Sequence, residues 1–294
     1  METTVRQRPA ALRLADLLAL TKPRQTVLLL VTGICSYTLS RGMPLDPHES
    51  LAMVAGLLLS ISGTTALNML VDRDIDSMMT RTAKRPLPRG SISPWAALIF
   101  GTVVAGAGLA ISFALDRSFG LVVATGLLID LLIYTVWLKR RTPLSIAFGG
   151  VAGGMPILAG RVLAVGRVDG IGILLASSVL LWIPSHILTL AIRYADDYQV
   201  AEVPVWPNVY GPQPTRVLIA AANLLNTLVL VSAGLLLEIN VLALGCLVGM
   251  SAGMLVLSVR QLMTPTERSN WFLFKVASLY MLASSLLLTV GALP

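Results

Sequence analysis

The chain has 294 residues, of which 55% are apolar and 13% charged, and its mean hydropathy is +0.80. Soluble domains carry about 25% charged residues, so this composition excludes both a soluble multidomain protein and a disordered chain. The net charge of +7 resides in short segments between continuous apolar runs, a signature of membrane topology and not of a nucleic-acid partner.

In chain order, the sequence predicts an all-α polytopic membrane protein: a bundle of about nine transmembrane helices forming one domain over residues 1–294. Residues 1–24 are polar and basic for too long to be a signal peptide and read as a cytoplasmic N-terminal segment. Spans are expected at 25–41, 51–71, 94–115, 118–138, 143–163, 170–192, 215–237, 239–258 and 271–291. Eighteen of the 22 Lys and Arg fall on the N-terminal side of the bilayer, which puts the N-terminus in the cytoplasm and the C-terminus outside. The expected location is the cell inner (plasma) membrane. Cys35 and Cys246 lie inside spans, which argues against a disulfide framework or a zinc site. Gly149–Gly153, Gly150–Gly154 and the series Gly245, Gly249, Gly253 have the spacing that lets membrane helices pack closely. Two connections, 72–93 and 193–214, are long and acidic at their start. Long loops in a compact protein are usually functional, so the chemistry is expected on the cytoplasmic side.

Asn68, Asp72 and Asp76 fall at i, i+4 and i+8 and share one stripe if the helix continues. Unpaired carboxylates so close together repel and are costly near a membrane; a divalent cation relieves both problems. Mg²⁺ typically takes one or two carboxylates, keeps some water and binds substrate phosphates. Asp74 lies off the stripe. The alternative is a solvated acidic helix end paired with Arg73 and Arg81. Arg81, Lys84, Arg85 and Arg89 follow directly, supplying the cations a diphosphate needs beside a metal. A second acidic group, Asp196, Asp197 and Glu202, ends span 6. There His186, Leu190, Arg193 and Asp197 are spaced to share one helix face, suggesting a two-sided clamp for metal and diphosphate. His186 is an intramembrane ionisable residue and so a site candidate, able to ligate an iron centre, orient an acceptor or move a proton. Asp130, alone in mid-span 4, should face the bundle interior with Tyr134 as its partner. The chain has no P-loop, dinucleotide fingerprint or nucleophile elbow.

Asn68–Asp76 resembles the first Asp-rich motif of the UbiA superfamily of intramembrane prenyltransferases. The longer string DRDIDSMMTRTAKRPLPRG resembles the protoheme IX farnesyltransferase branch, as do LTKPR (Leu20–Arg24), YTVWLKRRTPL (Tyr134–Leu144), GGVAGGMP (Gly149–Pro156) and HILTLAIRYADDYQVAEVPVWP (His186–Pro207). The likeness runs from residue 20 to about 210, two-thirds of the chain. It implies a helix bundle around a cavity capped by Asp-containing cytoplasmic loops. It also implies Mg²⁺-dependent transfer of a farnesyl group from farnesyl diphosphate to a vinyl group of haem b, giving haem O. Residue by residue, Asn68, Asp72 and Asp76 would hold Mg²⁺ and diphosphate, with Asp72, Asp76 and Asp197 as catalytic residues. Lys84 and Arg85 would stabilise the diphosphate, and Asp196 and Asp197 would form the second metal site. His186 would contact the haem. Arg73, Tyr134, Lys139, Arg193 and Tyr198, all within the matched motifs, complete the substrate-binding set. The bilayer, and a haem A synthase or terminal oxidase assembly downstream, are the partners implied.

The chain departs from the family pattern where an aromatic pair usually follows the histidine (here Ile187 and Leu188), and at Glu202 (usually Gly), Val205 (Met), Ser145 (Asn) and Ile157 (Pro). These positions bear on the acceptor, so a prenyltransferase for an aromatic quinone precursor stays open as an alternative. A secondary transporter, which also carries polar groups in its membrane spans, is the alternative from a different class.

Overall fold

The structure is a computed structural model and describes residues 10–293. Residues 1–9 of the expected N-terminal segment lie outside the described residues. No strand occurs among the described residues. Helix α1 (Ala10–Leu20) precedes the first span, so the later part of that segment is helical. Among the described residues nine long helical stretches follow: α2 (Pro23–Arg41), α3 (Pro47–Val71), α5 (Pro94–Leu115), Arg117–Leu138, α7 (Ser145–Val165), Gly170–Arg193, α12 (Pro212–Leu236), α13 (Val241–Met263) and α14 (Glu267–Ala292). All but α2 are apolar enough over an 18-residue window to count as spans by composition alone.

Local chemistry sets the helix starts. Proline opens α2, α3, α5 and α12, where its missing N–H costs nothing. Side-chain oxygens of Asp46, Ser93, Asp116, Asp169 and Asn240 accept from the first-turn N–H groups, and Thr266 with Ser269 forms a capping box.

Two stretches leave α geometry. The fourth runs as α6 (Arg117–Leu128) and then a π-helical segment, Ile129–Leu138. The sixth runs as α8 (Gly170–Ile183), a π turn over Pro184–Leu188 and α9 (Thr189–Arg193).

Glycine fixes the closest helix pairs. A Cβ on Gly63 would lie 2.3 Å from the Ala105 nitrogen, and one on Gly160 would lie 2.2 Å from the Gly33 carbonyl oxygen, so α3 meets α5 and α7 meets α2 backbone to backbone. Gly150 and Gly154 press on α8 in the expected way. The series on α13 does not: Gly245, Gly249 and Gly253 have no neighbour within 4 Å. Helix α13 packs through Ala243, Leu247, Ser251, Met254 and Ser258, which leaves the glycine face on the outside of the bundle. Cys35 is buried, Cys246 is exposed, and both are free.

The two long connections are structured. The first carries α4 (Arg73–Met78); the second carries α10 (Ala195–Val200) and α11 (Trp206–Tyr210). Ile75 and Met79 from one pack on Ala201 and Val203 from the other. The connections therefore close over the same end of the bundle.

Candidate active site

Helix α3 ends at Val71 and α4 begins at Arg73, yet the stripe of acids survives the junction. The Asp72 N–H donates to the Asn68 carbonyl at 2.9 Å and the Asp76 N–H to the Asp72 carbonyl at 2.8 Å. The i, i+4, i+8 spacing thus holds, and Asn68, Asp72 and Asp76 are 7%, 4% and 3% exposed. All three line one cavity of about 660 Å³ enclosed by the helices and roofed by the two connections.

Each buried acid is matched by a cation from another part of the chain. Lys139 Nζ donates to Asp72 Oδ2 at 2.5 Å, and Arg85 Nη1 to Asp76 Oδ2 at 2.7 Å. Arg73 and Arg81 are not the partners: Arg73 turns back to the Leu70 carbonyl, and the Arg81 guanidinium lies 5.6 Å from the Tyr194 ring centroid. Asp74 points away, clasped by both terminal nitrogens of Arg140 at 2.6 Å. These bonds hold its carboxyl down at about 2.

Lys22, Arg24, Arg81, Arg85 and Lys139 line the cavity beside Asp72, Asp76 and Asp130, so cations outnumber acids where an anion would sit. Lys22 sits at the α1–α2 turn in the left-handed region, φ 44°. Burial, then the nearby Arg85 and Lys139 charges, lower its ammonium pKa to about 8. Its ammonium group has no hydrogen-bond or ion-pair partner among the described residues.

Other predicted residues divide. Tyr134, His186 and Tyr198 line the cavity; Arg73, Lys84, Arg193, Asp196 and Asp197 do not. The expected face of His186, Leu190, Arg193 and Asp197 is broken for two local reasons. The π turn at Pro184–Leu188 shifts the register, and the helix stops at Tyr194 before α10 begins. Arg193 is therefore turned onto α14, 3.0 Å from Glu267 and 4.5 Å from the Trp271 ring centroid. Asp197 instead ties the two connections together. Thr80 Oγ1 donates to its oxygens at 2.8 and 2.9 Å, and the Arg81 N–H at 3.2 Å. Burial opposes the Asp197 charge, but these bonds outweigh it and keep the carboxyl below its usual range. Asp196 is exposed.

His186 lies between Trp182 and Phe274, each ring centroid 4.7 Å away and nearly parallel. Ser278 Oγ is 3.1 Å from its Nδ1 and donates to the Phe274 carbonyl at 3.3 Å. The aromatic surface beside this histidine thus comes from other positions than Ile187 and Leu188. Asp130 is also corrected: it bonds to Asn68 Nδ2 at 2.5 Å, whereas Tyr134 lies against Gly149 and below Lys139. Sequence reasoning gave no site role to Lys22, Arg24, Asp130 and Thr135, which line the cavity. Lys22 and Arg24 had a signal, since they stand in the LTKPR motif.

A divalent cation fits these donors. Asp72 Oδ1 is buried with no hydrogen-bond partner, one helical turn from Asp76, and hard oxygens of this kind suit Mg²⁺. Chemically, the arrangement can hold a metal and a polyanion at the mouth of an apolar cavity.

The model of the UbiA prenyltransferase family matches residues 29–285. A protoheme IX farnesyltransferase of Korarchaeum cryptofilum is 43% identical over 266 residues, 90% of each chain. One of Archaeoglobus fulgidus is 39% identical over 267 residues, covering 91% of this chain and 94% of that one. Among solved structures, one from work on digeranylgeranylglyceryl phosphate synthase superposes with a TM-score of 0.79 at 19% identity, covering 95% of this chain and 98% of that one. A UbiA homolog from Archaeoglobus fulgidus bound to DMAPP and Mg²⁺ does so with a TM-score of 0.72 at 13% identity, covering 94% and 99%. These structural likenesses show a shared fold, and the sequence matches extend it to kinship: the chain belongs to the UbiA prenyltransferase family.

Proposed function

We propose that the chain transfers a farnesyl group from farnesyl diphosphate to a vinyl group of haem b, giving haem O. The observation that carries the reading is the acid stripe at the mouth of an apolar cavity, each acid paired to a cation that a diphosphate could take over. The names of the 34–45% identical relatives, protoheme IX farnesyltransferase, support the acceptor.

Asp72, Asp76 and the side-chain oxygen Oδ1 of Asn68 would hold Mg²⁺. When bound, it supplies the positive charge that offsets the charge growing on the leaving diphosphate. Lys22, Arg81, Arg85 and Lys139 bind the diphosphate oxygens from the cavity wall. Asp196 and Asp197, proposed from sequence for a second metal, lie on the roof; there Asp197 holds the two connections closed and keeps water from the reacting carbon. Leu57, Ile61, Val123, Leu127 and Met155 give the isoprenoid chain an apolar wall. His186 contacts the acceptor: Ser278 takes its Nδ1, which leaves Nε2 as the free ring nitrogen. The proposed setting is the plasma membrane, with the N-terminus and both long connections cytoplasmic, the C-terminus outside, and haem A synthase or terminal oxidase assembly downstream.

The test is to incubate purified protein with haem b, farnesyl diphosphate and Mg²⁺, with an EDTA control, and to analyse haems by mass spectrometry. A metal-dependent hydroxyethylfarnesyl haem is the expected product, lost in Asp72→Ala. Diphosphate release without prenylated haem overturns the acceptor and points to an aromatic quinone precursor. No donor consumption by folded protein overturns the reading as a whole.

A further inference from the structure

Asp130 lies in the membrane-spanning part of the bundle, faces the cavity and belongs to none of the roles given above. Its position depends on the π-helical segment Ile129–Leu138. In an α-helix, residues five apart lie about 140° apart around the axis. With i→i+5 bonding they return to nearly the same face. Asp130 and Thr135 are five apart, and both reach Asn68. Asn68 Nδ2 donates to Asp130 Oδ2 at 2.5 Å, and Thr135 Oγ1 lies 3.1 Å from Asn68 Oδ1 and 2.8 Å from the Asp130 carbonyl oxygen. Thr135 is 1% exposed. Its one hydroxyl hydrogen has the Asp130 carbonyl as its nearer acceptor, and Asn68 Oδ1 keeps lone-pair capacity in either case.

An amide can present either end. Its oxygen ligates a cation and its nitrogen repels one. Asp130 engages the nitrogen end and so decides which end is left for the acid stripe. We infer that Asp130 is a positioning residue that orients the Asn68 carboxamide, turning Oδ1 toward a divalent cation shared with Asp72 and Asp76. The π segment is the device that brings both of Asn68's contacts onto one face. Outer partners of this kind typically change metal affinity about 10–100-fold when removed. The inference rests on the metal role proposed above for Asn68, Asp72 and Asp76.

The test reads metal binding directly, without turnover. Mn²⁺ is titrated into detergent-solubilised full-length protein containing inorganic diphosphate, and free Mn²⁺ is followed by electron paramagnetic resonance. The proteins are wild type, Asp130→Asn, Asp130→Leu and Asp130→Ala, each normalised to the monodisperse folded fraction. Asp130→Asn keeps an acceptor for Asn68 Nδ2 and should bind within about threefold of wild type. Asp130→Leu should bind at least about tenfold more weakly, and Asp130→Ala should match it, covering the case in which leucine does not pack. A purely structural role would lower the folded fraction but leave the affinity of the remainder unchanged. Wild-type affinity in folded Asp130→Leu or Asp130→Ala overturns this inference alone. Absence of Mn²⁺ binding by wild type overturns the metal reading and this inference together.

Discussion

Replacing Lys139 with methionine separates a structural ion pair from a metal site that borrows a lysine. At 2.5 Å and an effective dielectric of about 20, the gross attraction between Lys139 and Asp72 is about 7 kcal/mol. Desolvation of the two groups offsets much of it, and removing one partner of such a pair typically costs about 3–5 kcal/mol. The side chains are 18% and 6% exposed, so water screens little of this. Asp72 Oδ1 already lacks a partner, and the substitution would leave Oδ2 without one too. The metal-free variant should therefore unfold well below wild type. Mg²⁺ should restore it: at a hundred times its Kd a ligand returns about 2.7 kcal/mol. In wild type the gain is smaller, because the metal must displace Lys139 from Asp72. Thermal unfolding in detergent, followed by the fluorescence of the five tryptophans, gives the shift on adding Mg²⁺ against EDTA for both proteins. A larger shift in Lys139→Met is expected, together with weaker donor binding. Equal shifts, or none, would refute the assignment of Asp72 to the metal.

Asp74 tests the opposite case. It is 58% exposed and clasped by Arg140, and an exposed pair contributes at most about 1 kcal/mol, so Asp74→Asn should retain most activity where Asp72→Asn loses nearly all in the same assay. Lys22, held at about 8, is charged below that pH and neutral above it. The kcat/KM for the donor should thus fall as pH rises above 8, the limb should vanish in Lys22→Arg, and Lys22→Met should lose about tenfold or more at pH 7. Glu202 has φ 52°, a conformation costing about 1–2 kcal/mol for a residue with a side chain. After the greater unfolded-state entropy of glycine, Glu202→Gly should raise the unfolding midpoint slightly, whereas Glu202→Val should lower it.

Much of the fold was legible because a bilayer demands long apolar runs. The expected spans 94–115 and 118–138 differ by a residue or less from Pro94–Leu115 and Arg117–Leu138. The last two helices extend beyond the expected 239–258 and 271–291, to Met263 and back to Glu267. Gln261, Ser269 and Asn270 look like loop residues, yet Gln261 and Asn270 are buried: Gln261 Nε2 donates to Asn270 Oδ1, and Asn270 Nδ2 donates to the Thr189 carbonyl inside the bundle. The first acid stripe was legible because its spacing survives the α3–α4 junction. The second was not, because a π turn and a helix stop lie between His186 and Asp197. The Asn68–Asp130 bond had no local signal at all, since it joins residues 62 apart.

The pairing of acids with cations also bears on the order of binding. Buried carboxylates without partners would be costly, and Lys139 and Arg85 remove that cost in the free protein. A metal arriving alone must break these pairs and strand two cations in the cavity. A diphosphate arriving alone must draw the same cations off their acids. Arriving together, the metal takes the carboxylates and the diphosphate takes the cations, so every buried charge changes partner and none is left unmatched. Metal and diphosphate should therefore bind with positive coupling, and linkage requires each to strengthen the other by the same factor. Mn²⁺ titrations with and without inorganic diphosphate measure that factor, and a coupling of about tenfold corresponds to about 1.4 kcal/mol. In Lys139→Met the factor should shrink, since the metal no longer displaces that cation from Asp72. Independent binding in wild type would mean that the ion pairs persist in the loaded site, and that Asp72 and Asp76 hold the roof and not the metal.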